Sequence, residues 1–136
     1  MPKKILIADD DPEMLTLLHL ALQPLGVDIR EVHNAMGALT AIHEDHHDLA
    51  VLDIHMPGGN GLSACEMLAS DPAFAQLAII VLTGQADDGT QHRCQRLGAH
   101  FVRKGPEAVE RVKRLVCGLL CLGDWRVPAV APLFVG

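Results

Sequence analysis

Asp53, Ile54, His55, Met56, Pro57 and then Gly61 form an Asp-x-x-Met-Pro-x-x-x-Gly run directly after the apolar segment Leu49–Leu52. Two more carboxylates, Asp9 and Asp10, follow a second apolar segment, Ile5–Ala8, while Thr83 ends a third and Lys104 a fourth. Acids placed directly after buried strands are costly unless solvated or paired, so these anchors describe one site. Three carboxylates drawn together repel and raise each other's pKa unless a cation joins them. Hard oxygen donors suit Mg²⁺, which commonly takes one or two carboxylates and keeps waters for incoming phosphate oxygens. A cation site flanked by a lysine and a hydroxyl is equipment for phosphoryl transfer to an aspartate.

The elements that must position these groups alternate five times. Strands are expected at Lys3–Ala8, Val27–Val32, Leu49–Asp53, Ala78–Leu82 and His100–Arg103. Helices are expected at Pro12–Leu22, Ala35–Glu44, Leu62–Ser70, Asp87–Leu97 and Pro106–Leu120. The runs Ile5–Ala8 and Ala78–Leu82 are apolar without alternation, the pattern of strands covered on both faces of a parallel sheet. Val27, Ile29 and Glu31 alternate only weakly, which suits an edge strand. Asp11 is a natural N-cap with Pro12 at the first helical position, and Met14, Leu17, Leu18, Ala21 and Leu22 recur at helical spacing behind it. Repeated β-α units imply an α/β fold: a doubly wound, five-stranded parallel sheet with helices on both faces. For the flavodoxin-like order 2-1-3-4-5, ligands bind beyond the carboxyl ends of the first and third strands, where strand order reverses. Asp9, Asp10 and Asp53 fall there. A flavin or nucleotide fits poorly, because acid rather than a glycine-rich turn follows the first strand.

With 136 residues and 49% hydrophobic content, the chain fits one domain with a sizeable core. Its formal charge of −6 speaks against direct nucleic-acid contact. Seven of its eleven basic residues nevertheless fall between Arg93 and Arg114, as a solvated helix face or a partner surface. Cys65, Cys94, Cys117 and Cys121 form no Cys-x-x-Cys pair and read as reduced, mostly buried hydrophobes. No secretory signal and no apolar stretch of about 20 residues is visible, so a soluble cytoplasmic protein without membrane contact is expected. Residues 122–136, with Pro128 and Pro132 among Trp125, Val127, Leu133 and Phe134, read as a C-terminal tail or linker remnant after a domain of residues 1–121.

Taken together, Ile5-Leu6-Ile7-Ala8-Asp9-Asp10, the Asp53-to-Gly61 run, Leu82-Thr83-Gly84 and Phe101-Val102-Arg103-Lys104 resemble the response-regulator receiver domain of two-component signalling, of the chemotaxis-regulator kind. The resemblance runs from residue 3 to about 120. It implies that Asp53 accepts a phosphoryl group from a sensor histidine kinase or phosphotransfer protein. It further implies that Asp9, Asp10, Asp53 and the backbone carbonyl of His55 hold Mg²⁺. Lys104 would pair with phosphoryl oxygens, Thr83 would donate its hydroxyl to one, and Phe101 would be the aromatic that changes position. Such a domain is a switch for an unknown downstream protein rather than an enzyme, and a homodimer through the last two helices and strand is one arrangement it allows. The pattern departs in two places. Gly105 separates Lys104 from Pro106, where the family has proline directly after lysine, and the stretch from Gly98 to Lys104 is one residue short. His55 and Gln85 stand two positions after Asp53 and Thr83, where the family tunes dephosphorylation.

Two rivals use the same residues differently. In a haloacid-dehalogenase-like phosphatase Asp9 would be the nucleophile and Asp11 the acid/base, which leaves the Asp53 run without a role. In a pseudo-receiver the fold would serve only as an interaction module. His43 and His47 also lie one turn apart, a spacing used by helical zinc sites, but no third ligand accompanies them.

Overall fold

Non-alternating apolar runs become the central strands of one parallel sheet. The computed structural model describes residues 2–56, 59–84 and 88–122. Its strands are β1 (Lys4–Ala8), β2 (Asp28–Val32), β3 (Leu49–Leu52), β4 (His55–Met56), β5 (Gly59–Asn60), β6 (Ala78–Thr83) and β7 (His100–Arg103). Its helices are α1 (Pro12–Leu22), α2 (Ala35–Glu44), α3 (Gly61–Ser70), α4 (Asp88–Arg96) and α5 (Ala108–Leu119). The main sheet runs β2-β1-β3-β6-β7 with every pairing parallel. Counting only the five long strands, this is the expected order 2-1-3-4-5. The edge strand β2 is largely exposed, whereas β3 is buried along its whole length.

The period of two sorts each central strand between two cores. Leu6, Ala8, Ala50, Leu52, Ile79 and Val81 face the side covered by α2, α3 and α4. Ile5, Ile7, Leu49, Val51, Ile80 and Leu82 face the other, where Leu15, Leu18 and Leu22 of α1 meet Val112 and Val116 of α5. Burial of such a side chain contributes about 1.5–3 kcal/mol, and both faces are fully lined. The Asp11 carboxylate caps α1 by accepting the Glu13 N–H at 3.0 Å. Asn34, absent from the sequence reading, caps α2 through the Gly37 N–H at 2.6 Å.

Most boundaries move by a residue or two. Pro106 and Glu107 form a turn rather than the start of α5, and Asp87 lies outside the described residues. The second sheet is new: β4 and β5 form a short antiparallel ladder, with His55 opposite Asn60 and Met56 opposite Gly59. Two residues per strand are too few to carry a period, so no pattern announces it. Pro57, from the Asp53 run, lies outside the described residues. At the far end, Leu122 packs against the α1–α5 core and its N–H donates to the Cys117 carbonyl at 2.9 Å. The intervening Cys121 adopts φ 56°, the left-handed turn that ends helices. Residues 123–136 of the expected tail lie outside the described residues.

Cys65, Cys94 and Cys117 are buried and Cys121 is exposed. Burial first, then the neighbouring Cys94 and Glu66, pushes the Cys65 thiol up to about 12, which leaves it an inert hydrophobe. The histidines near the sheet's opposite end each have a local partner. His43 Nδ1 is 2.7 Å from the Leu39 carbonyl, His46 Nε2 is 3.1 Å from Asp48 Oδ1, and His47 Nδ1 is 3.1 Å from the Asp45 carbonyl. Among the described residues they assemble no metal cluster.

His47 carries a pH prediction. Its imidazole is 7% exposed, and burial lowers its pKa below the ordinary 6.5, opposed by its contact with Asp45. The folded state therefore favours neutral His47, while the unfolded chain takes up a proton as pH falls through 6.5. The stabilisation is complete above that value and is lost as pH falls toward the folded pKa. Urea midpoints measured between neutrality and mild acid should fall for the wild type and fall less for His47→Gln.

Candidate functional site

Because all strands of the main sheet run parallel, their carboxyl ends share one edge. β1 has β2 on one side and β3 on the other, so the order reverses between β1 and β3, and a crevice opens beyond their ends. Asp9 and Asp10 follow β1 and Asp53 follows β3. The Asp53 N–H donates to the Ala8 carbonyl at 2.9 Å, and the Asp9 N–H to the Val32 carbonyl at 3.2 Å. These backbone bonds fix where the carboxylates begin.

Asp9, Asp10 and Asp53 each offer a carboxylate oxygen within 4.8 Å of the other two. Asp9 is 1% exposed and Asp53 4%, whereas Asp10 is exposed. Lys104 reaches in from the end of β7, with Nζ 2.9 Å from Asp9 Oδ2 and 3.1 Å from Asp53 Oδ2. Asp9 Oδ1 accepts the Asp11 N–H at 2.9 Å, and Asp53 Oδ1 accepts the His55 N–H at 3.1 Å. Burial pushes the Asp9 carboxyl above its ordinary range, opposed by Lys104 and the Asp11 N–H and reinforced by the charge of Asp53. Burial alone would lower the Lys104 pKa, but the charges of Asp9 and Asp53 and the hydrogen bond to Asp53 outweigh it and hold the ammonium above its ordinary value.

The site lacks positive charge for its load. The Lys104–Asp9 contact is an ion pair without hydrogen-bond alignment, so the buried Asp9 Oδ2 keeps unmet accepting capacity. One ammonium faces three acids. An oxygen-rich, charge-deficient group of this kind, two of its three acids buried, fits a hard divalent cation such as Mg²⁺, and it is the one such cluster among the described residues.

The inserted Gly105 does not displace the lysine. The Lys104 N–H donates to the Thr83 carbonyl at 2.8 Å, which extends the β6–β7 ladder to the residue that bears the ammonium. Thr83 itself is fully buried at the end of β6, opposite Arg103. Phe101 stands apart from the carboxylates. It is half-buried on β7 opposite Val81 and packs against the α2–α4 side of the core. The His55 ring is exposed, and its amide is what the structure ties to Asp53. Asp11 serves as a helix cap, and its exposed carboxylate is engaged with the Glu13 N–H. Gln85 lies outside the described residues.

Gly61 does more than its place in the run suggests. Its N–H donates to the Ile54 carbonyl at 2.9 Å. A Cβ there would overlap the Asp53 carbonyl oxygen and lie 2.9 Å from Ile54 Cα. Both obstacles are backbone, so relief requires moving the segment that carries Asp53. Gly61→Ala should cost about 1–3 kcal/mol, the usual range for overpacking, read as a lowered urea midpoint. Gly61→Ala with wild-type stability would show that this close approach is dispensable.

A sequence profile of the response regulator receiver domain matches residues 5–116. The chain belongs to the response regulator receiver family. The receiver is 29% identical over 126 residues to protein RcaC of Microchaete diplosiphon, across 92% of this chain and 19% of that protein. It is 36% identical over 87 residues to the DNA-binding response regulator MtrA of Mycolicibacterium smegmatis, across 64% of this chain and 37% of that one. The receiver thus spans well under half the length of these two relatives. Among solved structures, the BeF₃-activated DrrB receiver domain superposes with a TM-score of 0.76 at 25% identity, covering 88% of this chain and 98% of that one. Membership identifies the chain as a receiver module of a two-component system. No helix among the described residues of this receiver is long and apolar enough to cross a membrane.

Proposed function

We propose that Asp53 accepts a phosphoryl group from the phosphohistidine of a sensor histidine kinase or phosphotransfer protein, and that the modified chain changes conformation to control a downstream protein. The observation that carries this reading is Lys104 Nζ between Asp9 and Asp53, 2.9 and 3.1 Å from their carboxylates. A carboxylate oxygen of Asp53 attacks phosphorus as the bond to the histidine nitrogen breaks, giving an acyl phosphate and a free imidazole. Mg²⁺, held by Asp9, Asp10, Asp53 and the His55 carbonyl, would offset the charge shared by the carboxylate and the phosphoryl oxygens. Lys104 needs little movement to reach an oxygen added to Asp53, and the Asp11 and His55 amides keep the two carboxylates oriented. Thr83 offers its hydroxyl to the phosphoryl group, and Phe101 on the neighbouring strand follows. We assign residues 1–121 to this unit and place it in the cytoplasm, where kinase and phosphodonor are found.

Labelling with phosphoramidate in the presence of Mg²⁺, reductive trapping and peptide mapping test the assignment. The label is expected on Asp53. Label on Asp9 would instead support the phosphatase chemistry, and absence of label would support a pseudo-receiver.

Asp10 should dominate Mg²⁺ affinity over Asp9. Asp9 is already engaged by Lys104 and the Asp11 N–H, whereas Asp10 is exposed and free to exchange water for a cation. Asp10→Ala should weaken binding in a calorimetric titration while leaving the metal-free protein as stable or more so, since like-charge repulsion falls. Equal affinity in the two proteins would reverse this ranking.

A further inference from the structure

The sequence places Leu17 in the apolar stripe of α1, but the fold leaves it outside the core. Leu15, Leu18 and Leu22 are buried against the sheet, whereas Leu17 is 45% exposed and Leu20 62%. The two stand three residues apart, so they are neighbours on the helix surface. On one flank of α1, His19 Nδ1 contacts Glu31 of β2. Helical spacing puts Met14, Leu17 and Ala21 on the opposite flank, towards α5, which packs against α1. Met14 and Ala21 are themselves only half-buried. An apolar row thus borders the α1–α5 seam and stays partly open.

The chain itself supplies a cover. α1 and α5 both lead back from the carboxyl edge of one parallel sheet, so their C-terminal ends lie at the same opposite edge. Leu25, just after α1, and Leu119 and Leu122, at the end of α5, are half-buried on this side of the core. The left-handed turn at Cys121 breaks the line of α5, with the Leu122 N–H on the Cys117 carbonyl at 2.9 Å. Residues 123–136 lie outside the described residues, and their sequence is mainly apolar, with Asp124 and Arg126 the only charges. Such a stretch gains by leaving water, and Pro128 and Pro132 disfavour a helix of its own. At about 3.3 Å per extended residue, Trp125 comes within about 10 Å of Leu122, and the whole segment exceeds the roughly 16 Å length of α1.

We propose that residues 123–136 strap back over α1, with Trp125 and the apolar residues after it covering Leu17 and Leu20. A second copy of this chain is the competing occupant and fits worse. Two leucines with half-buried neighbours make a small patch beside the roughly 800 Å² per partner of a stable interface. A segment tethered at Leu122 needs less area, because its docking is intramolecular. The contact requires no phosphate and takes nothing from the proposed function.

Trp125 is the chain's single tryptophan, so emission from the full chain reads this contact directly. The wild type should emit at shorter wavelength than free N-acetyltryptophanamide and resist acrylamide quenching, whatever the protein concentration. Leu17→Ser/Leu20→Ser should shift the emission to the red and raise quenching towards that of the free amide. Met36→Ser/Met67→Ser removes comparably exposed side chains from α2 and α3, on the other face of the sheet, and should leave emission unchanged. A second reading spares the core altogether: in ¹⁵N-labelled protein, Trp125→Ala should move the amide signals of Thr16–Leu22 and not those of α2 and α3. Solvent-like emission in the wild type, no red shift in the leucine variant, a red shift in the methionine variant, or unmoved Thr16–Leu22 signals would each overturn the proposal. So would wild-type emission that changes with concentration alongside a dimer mass, which would assign this face to a second copy.

Discussion

Asp53→Asn is expected to take Mg²⁺-dependent, acid-labile phosphate incorporation from stoichiometric to undetectable. The change removes the carboxylate proposed as nucleophile while sparing what holds the segment. An asparagine oxygen can still accept the His55 N–H now bound at 3.1 Å, and the Asp53 N–H to the Ala8 carbonyl at 2.9 Å is backbone. Lys104 keeps Asp9 as its partner at 2.9 Å. One of three mutually repelling acids becomes neutral, so the metal-free urea midpoint should hold or rise. Loss of label with intact stability would separate chemistry from folding. Full labelling of the variant would remove Asp53 from the role assigned to it.

Thr83→Ala is expected to accept phosphate yet fail to switch. Phosphorylation turns a single charge into about −1.5 to −2 with three strong acceptor oxygens. Lys104 and Thr83 are the donors at the ends of the two neighbouring strands. Hydrogen bonds to charged groups contribute about 1.5–3 kcal/mol each. Two together are comparable to the roughly 5.5 kcal/mol that turns a 1:99 equilibrium into 99:1; one alone is not. Lys104 already touches Asp53 before phosphorylation, at 3.1 Å, so much of its contribution is common to both states. The Thr83 carbonyl accepts the Lys104 N–H at 2.8 Å, so pulling its hydroxyl toward phosphate also draws on the strand bearing Phe101. Phe101 has no hydroxyl to anchor it, so in the proposed switch packing alone would hold an inward state. Amide spectra of phosphorylated Thr83→Ala should lack the wild-type changes around Asp88–Arg96 and His100–Arg103. Identical changes in the two proteins would break the coupling.

Most of the scaffold could be read from one dimension. A strand covered on both faces must be apolar at every position, and Ile5–Ala8 and Ala78–Leu82 announce themselves for that reason. Asp11 and Pro12 mark the start of α1, because a helix leaves its first N–H groups unmet and a short acid meets one of them. The same logic exposes the site: carboxylates that directly follow buried strands have no other economical place in a parallel sheet than its carboxyl edge.

Other features exist only once the chain is folded. The division of Lys104 between Asp9 and Asp53, and the unmet capacity of Asp9 Oδ2 beside it, depend on sub-ångström placement of groups 95 and 51 residues away from Lys104, which spacing cannot encode. The β4–β5 ladder is too short to have a period. Gly61 is visible as a glycine, but that it stands against the Asp53 carbonyl is a fact of packing. Leu17 reads along the chain as part of the apolar stripe of α1, yet it ends 45% exposed. Which flank of a helix is covered depends on where its neighbours sit, and only the tertiary structure sets that.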